Sequence, residues 1–138
     1  MKEINAYLIF NGNCREAMTF YQQCLGADLQ LAPFSDMPGG NIPKEARDRT
    51  MHARLTKGAA VLLASDNMVG MPFQQGDNFS IALQCESAQE TEELFNALSA
   101  KGTITMPLQE TFWAARFGMF KDQFGIHWML NFEKPVQK

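Results

Sequence analysis

Short runs of branched and aromatic residues, closed by Gly, Asn, Asp or Pro, alternate along this chain with stretches whose apolar positions recur at helical spacing. Ala6 to Phe10 (AYLIF) has the composition of a strand and stops at Asn11-Gly12. The period then changes. Ala17, Phe20, Tyr21 and Leu25 fall on one helical stripe, Asn13 and Glu16 have the spacing of a capping box, and Gly26 supplies the stop. Asp28 to Pro33 (DLQLAP) alternates and predicts a second strand. Thr50 to Leu55 (TMHARL) and Ala60 to Ser65 (AVLLAS) predict a third and a fourth, turned at Lys57-Gly58. Residues 34–48, with their Pro38-Gly-Gly40 break, make a connection longer than most, and we read it as a candidate flap.

After a Gly-, Gln- and Asn-rich stretch the same order returns. Phe79 to Cys85 (FSIALQC) predicts a strand. Ser87 and Glu90 form a second capping box, Leu94, Phe95 and Leu98 a second stripe, and Gly102 a second stop. Thr103 to Met106 is a short strand. The closing segment Gln109–Phe132 holds seven of the thirteen Phe and Trp residues and reads as a hairpin. Its arms are Arg116 to Phe120 and His127 to Phe132, its turn Asp122-Gln-Phe-Gly125. Alternation puts His127 and Met129 on one face of the last arm and Trp128 and Leu130 on the other. Phe20 and Phe95, about 75 residues apart, occupy matching places in this internal repeat.

The pattern predicts an α+β fold of two βαβββ modules, residues 1–66 and 78–138, joined by a linker at 67–77 into one domain spanning 1–138. One helix covers only one face of a four-stranded sheet, so each module has a face left over. Two mixed sheets whose free faces curl around a shared cleft would place a ligand there.

Charge and composition narrow the field. A net charge of −3 gives no basic footprint for nucleic acid, and no apolar run approaches a membrane span. The opening MKEINAYLIF lacks an h-region and a cleavage site, so a cytoplasmic location is expected. Three cysteines, Cys14, Cys24 and Cys85, without a C-x-x-C, suggest neither a disulfide framework nor a structural zinc site. Cys14 stands at a predicted helix start, which should lower its pKa. There is no G-x-S-x-G elbow and no Walker loop.

The chemistry-bearing residues gather late in the chain. Glu110 precedes Phe112-Trp113, and a carboxylate beside buried aromatics suits proton transfer. Arg116 suits a carboxylate or phosphate, held in bidentate fashion. The plainer alternative makes Trp113 and Phe117 core and Glu110–Arg116 a surface ion pair. His52 and Arg54 lie on the strand face opposite Ala53 and Leu55, and a lone strand histidine is more often structural than a ligand. Glu90, Glu92 and Glu93 read as a solvated helix face. Nine methionines suit either core filling or an adaptable ligand wall.

The paired pattern in so short a chain resembles the vicinal oxygen chelate superfamily, which includes glyoxalase I, extradiol dioxygenases, fosfomycin-resistance enzymes and bleomycin-resistance proteins. Within it the PhnB-like subgroup is more similar. Its typical segments resemble YLIFNGNCREA at 7–17, FY at 20–21, LGA at 25–27, MHA at 51–53, QETFWA at 109–114 and DQFGIHWM at 122–129. Some members carry the label 3-demethylubiquinone 3-methyltransferase, but the usual methyltransferase needs a nucleotide-binding loop such as G-x-G-x-x-G, which this sequence lacks. Metal-dependent relatives place His or Glu at four strand positions facing the cleft. By register those positions fall on Asn5 or Ala6, near Leu62, on Ser80 and on Met129, which do not form a donor set for a first-row divalent ion.

The resemblance therefore implies a glyoxalase-like protein with no metal and no other cofactor, binding a small molecule, with a homodimer expected from its relatives. Candidate ligand-binding residues are Tyr7, Ser80, Trp113, Arg116, His127 and Met129. Glu110 and His52 are the candidate catalytic residues if the protein is instead a lyase, isomerase or transferase acting on a small oxygenated or anionic substrate. A non-standard metal site from His52, Glu110 and His127 and a ligand-free structural subunit are the remaining readings.

Overall fold

The computed structural model describes residues 1–39 and 42–135. The tip of the candidate flap, Gly40-Asn41, and the end of the second expected module, 136–138, lie outside the described residues. The chain divides into two compact units, Met1–Gln74 and Gln75–Lys138.

In the first unit, β1 (Ala6–Phe10), α1 (Cys14–Leu25), β2 (Asp28–Pro33), β3 (Thr50–Lys57) and β4 (Ala60–Asp66) build a sheet of order β1-β4-β3-β2. In the second, β5 (Ile81–Gln84), α2 (Ala88–Leu98), β6 (Thr103–Gln109), β7 (Ala114–Lys121) and β8 (His127–Glu133) repeat it as β5-β8-β7-β6. The pairs β1–β4 and β5–β8 are parallel and the rest antiparallel, so both sheets are mixed, as the pattern predicts. Strand boundaries move by a few residues. β5 starts at Ile81 rather than Phe79, and β6 runs on to Gln109 rather than ending at Met106.

Each helix packs on its own sheet and defines a covered face. In the first unit that face holds Leu8, Phe10, Ala53, Leu55, Leu62 and Ala64 beneath Met18 and Tyr21. In the second it holds Phe120, Trp128 and Leu130 beneath Phe95 and Leu98. Phe120 meets Phe95 edge to face at 5.1 Å and stacks along Trp128 at 6.4 Å. At Gly118 an added Cβ would stand 2.7 Å from Phe95 Cε2, so a glycine lets α2 settle against β7.

The two helix starts differ. At α2 the expected cap forms: Glu90 N donates to Ser87 Oγ at 3.0 Å, and Glu90 Oε1 accepts from Glu86 N at 2.9 Å, one residue before the cap. At α1 the expected Asn13–Glu16 box does not form, because the Asn13 side chain makes no capping bond. Asp66 takes its place from the far end of β4: its Oδ1 accepts from Gly12 N and Cys14 N at 2.9 and 3.0 Å, and its Oδ2 from Thr50 N at 2.8 Å. One carboxylate thus ties the helix start to the start of β3.

The repeat also aligns differently from the expectation. Its caps are Asn13 and Ser87, so Tyr21, not Phe20, matches Phe95; Tyr21 and Phe95 are buried, and Phe20 is half-buried. Nor does Gly102 end α2. The helix stops at Leu98, Lys101 takes the left-handed turn with φ 62°, and Gly102 is needed because a Cβ there would run into the Lys121 carbonyl oxygen. The segment 34–48 is held at both ends by 3-10 turns at Phe34–Asp36 and Lys44–Ala46, with Phe34 and Ala46 buried.

Cys14 corrects a further expectation. The thiol is wholly buried, and its pKa is pushed up to about 12 rather than lowered, chiefly by burial and then by the neighbouring Asp66 carboxylate, with a Thr50 hydrogen bond opposing. Iodoacetamide at pH 8 should therefore leave Cys14 unlabelled in the folded protein and modify it only after denaturation, as peptide mass mapping would show. The neutral thiol stabilises the fold fully below its unfolded pKa of 9.0, and that contribution drains away as the pH climbs toward 12.

Candidate functional site

The face each helix leaves uncovered carries several of the sequence-predicted residues. In the first unit register places Tyr7, Leu63, Arg54 and Gln30 in one row across the four strands. His52, opposite Ala32, stands two residues from Arg54 on the same face. Tyr7 reaches over Leu63 so that its hydroxyl lies 3.4 Å from His52 Nδ1, with the two rings 6.0 Å apart. Tyr7 and His52 are both exposed, and the contact is a long hydrogen bond.

In the second unit the uncovered face is mostly apolar. Register joins Met106 to Met119, Met119 to Met129, and Phe117 to Asn131, with His127 opposite Lys121. Trp113 lies against Phe117 at 5.4 Å and Phe112 against Trp113 at 4.8 Å, both edge to face. These three rings form an aromatic wall at the β6–β7 connection. Two amides interrupt the apolar surface: Asn131 Nδ2 donates to Gln84 Oε1 at 2.8 Å, while Asn131 Oδ1 is buried and accepts from no described residue. Trp113, His127 and Met129 thus share a unit and a face. Ser80 stands half-buried immediately before β5, and Tyr7 and His52 belong to the first unit.

Two expected placements change. Arg116 projects on the covered side of β7, in phase with Gly118 and Phe120. Its Nε is 3.4 Å from Glu92 Oε1 on α2, and its Nη1 donates to the Ala115 carbonyl at 2.8 Å. It therefore does not share the face of Phe117 and Trp113. Glu110 is not beside buried aromatics: its side chain is 69% exposed, Phe112 is 89% exposed, and its ion-pair partner is Lys134 at 3.6 Å rather than Arg116. Regular alternation from Arg116 to Lys121 puts Arg116 on the face opposite Phe117, and Glu110 lies outside β7 altogether. Glu90, Glu92 and Glu93, read as a solvated face, have three separate partners in Glu86 N, Arg116 and Gln89.

The sequence reading missed Asp66, Asp122 and Arg49. Asp122 is buried in the β7–β8 turn, where its Oδ1 accepts from Phe124 N and Ile126 N and its Oδ2 from Trp128 Nε1. Arg49 Nη1 donates to Asn67 Oδ1 at 2.6 Å and to the Asn67 carbonyl at 3.2 Å. The D-Q-F-G turn was a visible sign of Asp122; nothing local marked Asp66 or Arg49.

The positions that match the ligands of metal-dependent relatives carry few donors for a first-row divalent ion. Of the four inherited metal positions, Leu62 faces the core at 7% exposure, and Met129 offers only a thioether. Within each unit, among the described residues, no three His, Cys, Asp or Glu side chains are grouped. The strand-to-helix turns that could cradle a nucleotide have their amides occupied, by Asp66 at α1 and by Ser87 and Glu90 at α2. Among the described residues no helix is long and apolar enough to cross a membrane.

The fold is shared with a glyoxylase/bleomycin resistance protein/dioxygenase domain from Frankia sp. EAN1pec, at a TM-score of 0.69 and 13% identity over 99% of this chain and 96% of that one. The two βαβββ units, with their mixed sheets, give this chain a glyoxalase-like fold. More specifically, residues 2–131 match the model of the family described as 3-demethylubiquinone-9 3-methyltransferase, and the chain belongs to that PhnB-like family. Protein YjdN of Escherichia coli K12 is 34% identical, covering 97% of this chain and 99% of its own. The crystal structure of PA1353 from Pseudomonas aeruginosa superposes at a TM-score of 0.89 with 48% identity over 98% and 100% of the two chains. The PhnB protein of Bacillus cereus does so at 0.78 with 25% identity over 95% and 99%.

Proposed function

We propose that this PhnB-like protein binds a small organic molecule on its uncovered sheet faces without a divalent metal. The observation that carries the reading is the second unit's face: Met106, Met119 and Met129 beside Phe117 and Trp113, with the Gln84–Asn131 amides as its polar feature. A sheet face of this composition is costly to leave in water, and polarizable, rotatable methionines adapt to flat or branched ligands. The inherited metal positions lack donors, which supports binding by packing and hydrogen bonds.

Methyl-labelled methionines give a direct test. Neutral aromatic fragments should shift the Met106, Met119 and Met129 methyl resonances and leave buried Met18 unmoved. Trp113→Ala should weaken the tightest fragment by about tenfold, the scale of losing one large aromatic contact. Fragments that move none of the three methyls, or tight 1:1 binding of zinc, nickel or manganese by chelator-stripped protein in calorimetry, would sink the reading. We also propose a homodimer, supported by the exposed Tyr7, Ile9, Phe79 and Phe112; a monomer in sedimentation equilibrium removes this part.

The Tyr7–His52 contact favours a second reading, an enzyme moving a proton with His52. Turnover of a small acidic substrate that His52→Gln abolishes, with binding retained, would establish it.

A further inference from the structure

Three arginines of this chain are half-buried: Arg49, Arg54 and Arg116. Two are tied down, Arg49 to Asn67 and Arg116 to Glu92 and the Ala115 carbonyl. Arg54 alone among them has no hydrogen-bond or ion-pair partner among the described residues. A guanidinium partly withdrawn from water retains five donors and its full charge, so an untied one in the middle of a sheet face calls for an acceptor.

We propose that Arg54 receives the oxyanion of a small acidic molecule, a carboxylate or a phosphoryl group, on the uncovered face of the first unit, with His52, Tyr7 and Gln30 completing the donor set. The inference rests on the small-molecule reading above and names the charge of the ligand. Gln30 is the cross-strand partner of Arg54 on β2, and Tyr7 and Arg54 flank Leu63 in the same row. Neighbouring strands lie about 4.8 Å apart, so this row presents donors across a span of about 15 Å. When the Tyr7 hydroxyl donates to His52 Nδ1, the proton on Nε2 is left for a ligand oxygen. Leu63 supplies an apolar floor. Asp28, opposite Thr56, belongs to the row beyond Gln30 and Arg54, so no carboxylate shares the row of the guanidinium. A net charge of −3 makes such a local cationic face stand out from the rest of the chain.

The test uses the full chain, labelled with 15N and 13C, and three probes with similar apolar bodies: phenylacetate, phenyl phosphate and benzyl alcohol. The two anions should shift the Arg54 Nε–Hε and His52 ring resonances saturably, and benzyl alcohol should not. Arg54→Gln should raise the Kd of the better anion at least tenfold, as expected for a charge-assisted bidentate pair, with an unchanged melting temperature. Arg54→Lys should restore only part of the affinity, because a point charge replaces the fork. The preferred anion identifies a carboxylate or a phosphoryl ligand. Shifts that sodium chloride reproduces at equal ionic strength, or equal anion affinity in Arg54→Gln, would overturn the proposal. If benzyl alcohol still moved the second unit's methionine methyls in that case, small-molecule binding would stand and only the anion assignment would fall. Probes that moved no resonance would overturn both.

Discussion

Asp66→Ala is expected to destabilise the protein by about 3–5 kcal/mol, read as a lowered urea midpoint with loss of helical circular dichroism. Asp66 is 5% exposed and accepts from three backbone amides, those of Gly12, Cys14 and Thr50. Removing an acceptor strands its donors, at about 1–3 kcal/mol for each buried one. No local group replaces it, because the Asn13 side chain makes no capping bond. Asp66→Asn should fall between wild type and alanine. It keeps one carbonyl oxygen for either Thr50 or the Gly12–Cys14 pair and turns an amide N–H toward the other. A loss below about 1 kcal/mol in the alanine variant would mean that water or a neighbouring group satisfies these amides, and the account of how α1 is capped would be wrong.

Asp122→Ala is expected to cost a similar amount, again about 3–5 kcal/mol, by a different route. Its Oδ1 shapes the turn by accepting from Phe124 N at 2.8 Å and Ile126 N at 3.0 Å. Its Oδ2 accepts from Trp128 Nε1 at 2.8 Å, on an indole only 1% exposed. A buried indole N–H needs a partner, and this carboxylate accepts from it. Asp122→Asn separates the two roles. The amide oxygen can keep both turn amides while its NH2 faces the indole N–H, donor against donor, so most of its cost should disappear in a Trp128→Phe background. A double-mutant cycle with no such coupling would contradict the assignment. Trp128 emission should also shift to the red in Asp122→Ala, while Trp113, already 47% exposed, contributes little change.

Most of the architecture was legible because it rests on periodicity. The strand at Ala6–Phe10, the helix after Asn13, the alternation of His127-Trp128-Met129-Leu130 and the return of the pattern after residue 77 each depend on local residue order. The Ser87–Glu90 box was legible for the same reason: its partners are three residues apart. The Asn13–Glu16 spacing is identical, yet the Asn13 side chain makes no capping bond, and Asp66, over fifty residues away in sequence, accepts from the neighbouring amides of Gly12 and Cys14 instead. The alternative reading of Glu110 and Arg116 as an ion pair with each other also failed, because Arg116 meets Glu92 on α2 and Glu110 meets Lys134, partners brought near by the fold.

Residue order alone determined which segments are strands and helices, that the unit occurs twice, and which residues alternate onto each sheet face, since these follow from backbone periods of 2 and 3.6. Tertiary structure decided which polar groups meet. The three amides gathered on Asp66, the indole on Asp122, the Tyr7 hydroxyl near His52 and the pairing of Arg116 with Glu92 all join residues through space. Such pairings depend on strand register and bulges, where a shift of one residue sends a side chain to the opposite face.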